Sequence, residues 1–515
     1  MGFLLLFIFL AAAAFAQQPI RVTNAASAGF GPAAPSVAPG SLIRVDLVPS
    51  GTVVPIDPRS VTIEIQPAGS ATVVEPSDPL GVIALLSSDT PPGPAMLSMN
   101  FNGQTSAPAS IEIVPTSFGL FTRGNGIGPV LASNSLTRPA QPGDVVTLWG
   151  TGLGSATQNQ VSVMLGGHPF PVEYAGPAPG LPGTDQINFQ IPNDPTIPYG
   201  CYVAIAIRAQ DVTSNTGTIS TGLDSNPCHS VLGFTPDQLA QLDAGQNVTL
   251  GQVDLYDMVG PPAPQQWFYS NGFTRMESAD ASFLNVNAVT VAVLAQPLQA
   301  ADSYYGCYAS SVAGASLIAI SGAVDAGNNL VLSSSDQTLD LPRQNPEFPG
   351  GFYSVQLPAS SAVDSPDAVP APFFSAGVWQ VSSAGSATLQ PFTGSLTVAR
   401  PPRIADPSSL ATIDHTQDLT VRWNGSDYTD DLTAVLQLAA SSVVICRAPA
   451  SAGQITIPAG LMQNLAQSAA NNGLELLLMP RPDRVATFQA SLRNGGTVPV
   501  LFRSYPSEVI PIQIQ

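Results

Sequence analysis

Short apolar segments separated by turn residues recur along most of the chain. The segments 42–45, 61–65 and 161–165 are rich in Val, Ile and Leu, and Gly, Pro, Asn or Ser residues stand between such segments. Strands of this length and spacing are typical of all-β domains. In 145–149 the alternation of apolar and polar positions is imperfect, so it predicts a strand without assigning its buried face. We therefore predict an all-β fold.

A weak internal repeat divides the first two hundred residues. Pro39-Gly40 before one apolar run matches Pro142-Gly143 before another, at an offset of 103 residues (142 − 39). Units of about 100 residues with frequent turns are typical of immunoglobulin-like β-sandwiches. We predict one such sandwich over 17–116 and a second over 117–230.

The pattern changes near residue 231. Thr235 followed by Pro236 predicts the N-cap and first residue of a short helix, which Gly245 ends. Strand-like segments then return, at 289–294, 316–320, 330–333, 352–357 and 377–381. We predict a β-rich domain with a short N-terminal helix over 231–400.

The last part of the chain follows Pro401-Pro402. It opens with a strand-like segment at 419–423, and the apolar spacing over 458–472 predicts one helix ended by Gly473. We predict a β-rich C-terminal domain over 401–515. The complete prediction is tandem immunoglobulin-like β-sandwiches followed by further β-rich domains with a few short helices.

The first residues resemble an export signal. An apolar run ends in Ala14-Phe15-Ala16, a small-x-small pattern that signal peptidase accepts, although no basic residue precedes the run. The run is shorter than the ~20 residues needed to cross a bilayer. We predict a signal peptide over 1–16, an extracellular, cell-surface or periplasmic location, and no transmembrane anchor in the mature chain.

Composition excludes several kinds of chemistry. The chain of 515 residues has a net charge of −19, which disfavours nucleic acid as a partner. All 16 basic residues are Arg, so Schiff-base chemistry and a P-loop lysine are excluded.

The four cysteines are disulfide candidates if the chain is exported. Cys201 and Cys228, 27 positions apart (228 − 201), flank a strand-rich stretch and form the favoured pair. Cys307 and Cys446 would then form the second pair by elimination. Buried free thiols are the alternative for both pairs.

Three segments carry a resemblance to a known family. They are WGTGLG at 149–154, YAGPAPGL at 174–181 and QINFQIP at 186–192. Together with 22–27 and 118–121 they resemble secreted acidobacterial proteins that contain a TIG-type (IPT-like) immunoglobulin domain. The resemblance implies a β-sandwich fold and an extracytoplasmic address, and it supports the disulfide candidates. Since that family is largely uncharacterised, the resemblance implies no substrate and no catalytic residue.

Catalytic and metal-binding patterns are weak in this sequence. The histidines at 168, 229 and 415 lack the close spacing of a metal site on one element. Asp414-His415 could belong to a catalytic triad, but no G-x-S-x-G segment supplies a nucleophile. The acidic residues Asp427, Asp430 and Asp431 fit no EF-hand spacing and favour a solvated turn over a Ca²⁺ site. We predict no catalytic activity, no metal and no cofactor.

Aromatic clusters offer the best candidates for ligand binding. Trp267, Tyr269 and Tyr305 could stack on sugar rings, while core packing is the competing interpretation. In doublets such as Phe352-Tyr353 and Phe373-Phe374, strand geometry sends only one ring to the core.

These observations favour a non-catalytic exterior protein that acts in adhesion, binding or assembly, with protein or glycan as its partner. The alternative is a carbohydrate-binding protein or carbohydrate-active enzyme with appended immunoglobulin-like domains.

Overall fold

The computed structural model describes residues 18–28, 36–48, 56–67, 69–78, 80–194, 197–260, 275–299, 306–310, 322–344, 351–358, 371–425, 428, 431–438, 442–459, 461–462, 474–480 and 485–514. Within these residues the strands are β1 (Ile20–Asn24), β2 (Ser36–Val37), β3 (Leu42–Leu47), β4 (Thr62–Gln66), β5 (Gly69–Asp78), β6 (Gly81–Leu86), β7 (Gly93–Phe101), β8 (Gln104–Thr105), β9 (Ala109–Ile113), β10 (Gly119–Leu120), β11 (Val145–Thr151), β12 (Val161–Leu165), β13 (His168–Pro171), β14 (Tyr174–Pro177), β15 (Asp185–Gln190), β16 (Gly200–Ala209), β17 (Val212–Thr213), β18 (Gly217–Thr221), β19 (Val248–Val259), β20 (Arg275–Val286), β21 (Gly306–Ser310), β22 (Asn329–Ser333), β23 (Thr338–Pro342), β24 (Phe352–Gln356), β25 (Gly377–Ser383), β26 (Phe392–Val398), β27 (Thr412–Ile413), β28 (Leu419–Arg422), β29 (Leu432–Leu438), β30 (Ser442–Ala448), β31 (Gln454–Ile457), β32 (Leu474–Pro480), β33 (Val485–Ser491) and β34 (Thr497–Ile514). The α-helices are α1 (Pro236–Asp243) and α2 (Ala288–Gln299).

The first sandwich is one hydrogen-bonded path of strands wrapped around a single core. The order is β1-β3-β6-β5-β4-β7-β9-β2, with β8 on β7. Alternate side chains on these strands, such as Ile43, Val45 and Leu97, are fully buried in that core. On β4 and β7 the period-2 pattern of the sequence therefore corresponds to one buried face.

The second sandwich consists of two facing sheets. One has the order β10-β11-β15-β14, and the other has β13-β12-β16-β17 with β18 on β16. Val146, Leu148 and Phe189 from the first sheet pack with Val163 and Ile205 from the second. The core lies between the sheets, so the other face of each sheet is turned outward.

Ten of the remaining described strands share one large sheet, which has the order β21-β30-β29-β32-β34-β19-β20-β24 with β27 and β33 also paired to β34. Strand β34 pairs in parallel with β19 over nine residue pairs and antiparallel with β32 further along. Its Val500 and Phe502 pack against a core closed by the sheet β23-β22-β25-β26, whereas its Ile510 and Ile512 join a second core. Strands on both sides of residue 400 therefore belong to the same sheet.

Helix α1 begins as the sequence predicts. The Thr235 hydroxyl accepts a hydrogen bond from the Gln238 amide, Pro236 is the first helical residue, and Gly245 has a φ of +75° just after the helix. The Asp243 carboxylate at its end accepts hydrogen bonds from the Leu136 and Thr137 amides of the second sandwich. The helix thus fixes the second sandwich to the large sheet.

Helix α2 corrects one sequence prediction, because residues 289–294 were expected to form a strand. The Asn287 side chain accepts a hydrogen bond from the Thr290 amide at 2.9 Å and caps the helix. Val291, Ala292 and Ala295 are fully buried, a spacing that places them on one side of a helix. Tertiary burial of that side overrides the strand preference of Val and Thr.

Other predicted elements are confirmed or fall outside the described residues. The predicted strands at 330–333, 352–357 and 377–381 correspond to β22, β24 and β25. The segment 316–320 and most of the predicted helix 458–472 lie outside the described residues. No helix among the described residues is long and apolar enough to cross a membrane. The all-β prediction, with β-sandwiches in tandem and few short helices, is confirmed.

Both predicted disulfides are present. Cys201 and Cys228 are bonded, and they join the start of β16 to the loop that leads to α1. Cys307 and Cys446 are also bonded, and they link β21 to β30 at directly opposed positions. The alternative of buried free thiols is therefore wrong.

Candidate functional site

The outward face of one sheet in the second sandwich combines aromatic and amide side chains. Strand β15 lies between β11 and β14, and these strands carry the three sequence segments that resemble the TIG-type family. Because side chains alternate along a strand, Ile187 and Phe189 enter the core while Gln186 and Asn188 face outward.

The outward side chains form two rows across these strands. In one row, Thr147 lies opposite Asn188, which lies opposite Tyr174. In the next row, Trp149 lies opposite Gln186, which lies opposite Gly176. We call the five side chains Thr147, Trp149, Tyr174, Gln186 and Asn188 the platform. Each is half-buried, as expected for side chains standing on the solvent side of a sheet.

The Tyr174 ring lies along its own strand. Its hydroxyl donates a hydrogen bond to the Pro177 carbonyl oxygen at 2.8 Å. A Cβ atom on Gly176 would lie only 3.0 Å from the Tyr174 hydroxyl oxygen. Glycine at position 176 therefore provides the space in which the ring rests against the sheet, next to Gln186 in the second row.

The centre of the platform is polar but uncharged. The Gln186 Nε2 atom donates a hydrogen bond to the Asn188 Oδ1 atom at 3.0 Å, which orients both amides. None of the five platform side chains, all within the described part of the chain, carries a formal charge. Such a surface offers hydrogen bonds and ring contacts without an ionic preference.

Hydrogen bonds fix the end of the platform against the first sandwich. The Thr151 hydroxyl, which follows Trp149 on β11, donates to the Gly183 carbonyl and accepts from the Leu42 amide. The Asp185 carboxylate accepts a hydrogen bond from the Leu153 amide at 2.8 Å and thereby holds the adjoining loop. Burial raises the pKa of Asp185, and the amides of Leu153 and Gly152 oppose that rise.

A second polar cluster lies on the large sheet. Arg503 donates to both carboxylate oxygens of Asp254, and the rings of Tyr256 and Tyr505 stack with centroids 5.1 Å apart. Burial raises the pKa of Tyr256, and the nearby Asp254 charge raises it further. These groups are engaged with one another, so the cluster is best explained as part of the sheet's packing.

Buried carboxylates elsewhere hold segments of the chain in place. Glu277 accepts hydrogen bonds from the Phe373 and Phe374 amides, and Glu508 accepts one from the Ile404 amide. Burial raises the pKa of both carboxyls, and these amides act against the rise. Their hydrogen bonds give both groups structural roles.

The aromatic residues that the sequence indicated are not those of the platform. Trp267, Tyr269 and Tyr305 lie outside the described residues. Tyr353 and Phe374 are core residues, and their neighbours Phe352 and Phe373 are half-buried. The Phe373 ring lies 5.9 Å from that of Trp379, which gives it a packing role. Trp149 and Tyr174 were not among the sequence candidates because they are not in aromatic clusters, and the imperfect alternation of 145–149 did not show that Trp149 faces outward.

The three histidines are not part of the platform. His168 lies on β13 in the opposite sheet, and His229 and His415 lie in loops. Hydrogen bonds from the Thr416 hydroxyl and amide lower the pKa of Asp414. Asp427 and Asp430 lie outside the described residues, and Asp431 is half-buried. Among the described residues, no group of three His, Cys, Asp or Glu side chains could hold a metal ion.

Comparison with known proteins adds little about function. No family model and no curated protein matches the chain, so the resemblance to the TIG-type family stays a prediction. The Bacteroides ovatus mixed-linkage glucan utilization locus protein SGBP-B, solved with a heptasaccharide, is 12% identical, covers 50% of this chain and 68% of its own, and has a TM-score of 0.21. The Escherichia coli adhesin FdeC is 11% identical, with coverages of 75% and 97% and a TM-score of 0.14. Titin domains A168-A170 are 9% identical, with coverages of 74% and 95% and a TM-score of 0.13. At these TM-scores the likenesses carry no argument about function.

Proposed function

We propose that the protein is a non-catalytic binding protein of the cell exterior, in which tandem β-sandwiches hold the platform in position for adhesion or assembly. The observation that carries this proposal is the platform itself, a half-exposed face on which Trp149 and Tyr174 flank the amides of Gln186 and Asn188. Aromatic rings give a large contact area at low cost in conformational entropy, and amides add adaptable hydrogen bonding.

The connection between the first two sandwiches supports a presenting role. Asn24 of the first sandwich donates hydrogen bonds to the Ser117 and Thr151 carbonyls of the second. A binding surface on a firmly held scaffold loses little freedom on contact with its partner. Adhesion and assembly both benefit from such fixed spacing.

The exterior location is supported by two independent features. The apolar run that ends in Ala14-Phe15-Ala16 resembles an export signal. Both cysteine pairs are bonded, and disulfides persist in oxidising compartments outside the cytoplasm.

Co-sedimentation of the chain from Gln17 onward with isolated bacterial cell envelopes tests the proposal. We expect saturable binding that Trp149→Ala abolishes. The control is Val378→Ala, which removes an exposed apolar side chain on β25, far along the sequence from the platform. Failure of the unaltered chain to bind envelopes, or equal binding by the Trp149→Ala variant, would overturn the proposal.

A further inference from the structure

We infer that the platform binds an uncharged polysaccharide whose chain runs across the strands from Trp149 over Gln186 to Tyr174. This inference names the ligand class of the same surface and therefore rests on the proposed function.

The spacing of the two aromatic residues favours a chain of sugars. Trp149 is on β11 and Tyr174 is on β14, with β15 between them. Two strand spacings place their backbones about 9.6 Å apart. A single sugar ring is shorter than this separation and cannot lie against both side chains at once. Successive sugars of one polysaccharide chain can do so.

The position of Tyr174 brings its ring into line with Trp149. Although Tyr174 is opposite Asn188, its ring extends along the strand above Gly176, which shares a row with Gln186 and Trp149. Along this row the groups are therefore, in order, the Trp149 indole, the Gln186 amide and the Tyr174 phenol ring. Pyranose rings have apolar C–H faces that pack on aromatic rings and hydroxyl edges that hydrogen-bond to amides, so the order matches a sugar chain.

Charge distinguishes between classes of polysaccharide. The platform side chains are uncharged, and the chain as a whole carries a net charge of −19. An anionic polysaccharide would find no cationic partner among these five residues and would be repelled by the surrounding field. The Gln186 and Asn188 amides, already oriented by their mutual hydrogen bond, supply donors and acceptors that suit neutral hydroxyl groups.

Affinity electrophoresis of the chain from Gln17 onward tests the inference. The gels contain neutral polysaccharides (a β-glucan, a xyloglucan, a galactomannan and an arabinoxylan) or anionic ones (alginate and polygalacturonate). We expect retardation by at least one neutral polymer and by neither anionic polymer. Calorimetric titration with oligosaccharides of the retarding polymer should give at least about tenfold tighter binding for a tetrasaccharide than for the monosaccharide.

Four variants distinguish the platform from general effects on folding. Trp149→Ala and Tyr174→Ala should each weaken binding at least about tenfold, in the range expected for truncated aromatic contacts. Tyr174→Phe keeps the ring and should retain most of the affinity, even though it loses the hydrogen bond to Pro177. Gln380→Ala removes an exposed amide from the outer side of β25 and should change nothing. Circular dichroism confirms the fold of each variant.

Several results would overturn the inference. They are retardation by anionic polymers alone, no retardation by any neutral polymer, equal affinity for monosaccharide and tetrasaccharide, or full binding by the Tyr174→Ala variant. If Trp149→Ala still abolishes envelope binding in such a case, the proposed binding role survives with a different ligand. If envelope binding is also absent, both proposals fail.

Discussion

Replacement of Asn24 by alanine should loosen the first sandwich from the second. The Asn24 side chain is only 4% exposed and makes four hydrogen bonds. Its Nδ2 atom donates to the Ser117 and Thr151 carbonyls at 2.8 and 3.0 Å, and its Oδ1 atom accepts from the Ala26 and Ser27 amides at 2.9 and 3.2 Å.

The magnitude follows from those four hydrogen bonds. Each is worth about 1 kcal/mol net, and a buried group left without a partner costs about 1 to 3 kcal/mol. We expect Asn24→Ala to lower the free energy of unfolding by about 3 to 5 kcal/mol. Asn24→Asp should also destabilise the junction, since a carboxylate would replace the amide donor that faces the two carbonyls.

Urea denaturation followed by circular dichroism measures this effect. The control is Asn226→Ala, because Asn226 is exposed in a loop and bonds only locally to Asp224. We expect the control to change stability by less than about 0.5 kcal/mol. A loss below about 1 kcal/mol for Asn24→Ala, or one equal to that of the control, would refute the role assigned to this junction.

Three further predictions concern stability. Replacing both Cys201 and Cys228 by serine should cost about 3 to 4 kcal/mol in urea denaturation, as chain entropy predicts for a loop of this size; a loss below about 1 kcal/mol would argue against it. Burial raises the pKa of Glu475 above its usual 4.5, opposed by the hydrogen bond from Gln437. The folded state therefore favours the protonated form of Glu475, so the stability that this group contributes is complete below pH 4.5 and is lost as pH rises through the folded pKa. Glu475→Gln should flatten the pH dependence of the free energy of unfolding in that window. An unchanged slope would contradict the assignment. Gly150→Ala would place a Cβ 2.2 Å from the Phe118 ring and 2.3 Å from the Gly119 carbonyl oxygen and should destabilise by about 1 to 3 kcal/mol in the same assay, whereas native-like stability would show that both the ring and the β10 backbone can move aside.

Local patterns in the sequence predicted more than long-range pairings. The cap and end of α1 depend on neighbouring residues, so Thr235, Pro236 and Gly245 were sufficient to place it. Helix α2 was missed because Val and Thr favour strands, and only the packing of Val291, Ala292 and Ala295 reveals the helix.

The large sheet lay beyond what the sequence could predict. Strand β34 pairs with β19, whose residues lie about half the chain away, and no local signal specifies a partner at that distance. The domain boundaries at 116, 230 and 400 stay predictions, although strands on both sides of residue 400 share this sheet.

The platform could be predicted only in part. Its three segments were singled out by their resemblance to a family, but the imperfect alternation in 145–149 left the outward face undecided. The structure shows Val146 and Leu148 in the core, which turns Thr147 and Trp149 outward. Register then places Trp149 beside Gln186, and that relation depends on the pairing of β11 with β15.

A glycan-array screen of the chain from Gln17 onward, beside the Trp149→Ala variant and with or without Ca²⁺, tests the central claim most directly. We expect selective binding to neutral glycans that does not depend on Ca²⁺ and is lost in the variant. Glycan binding that persists without the Trp149 side chain, or no glycan binding by the unaltered chain, would contradict the assignment of the platform as a glycan-binding surface.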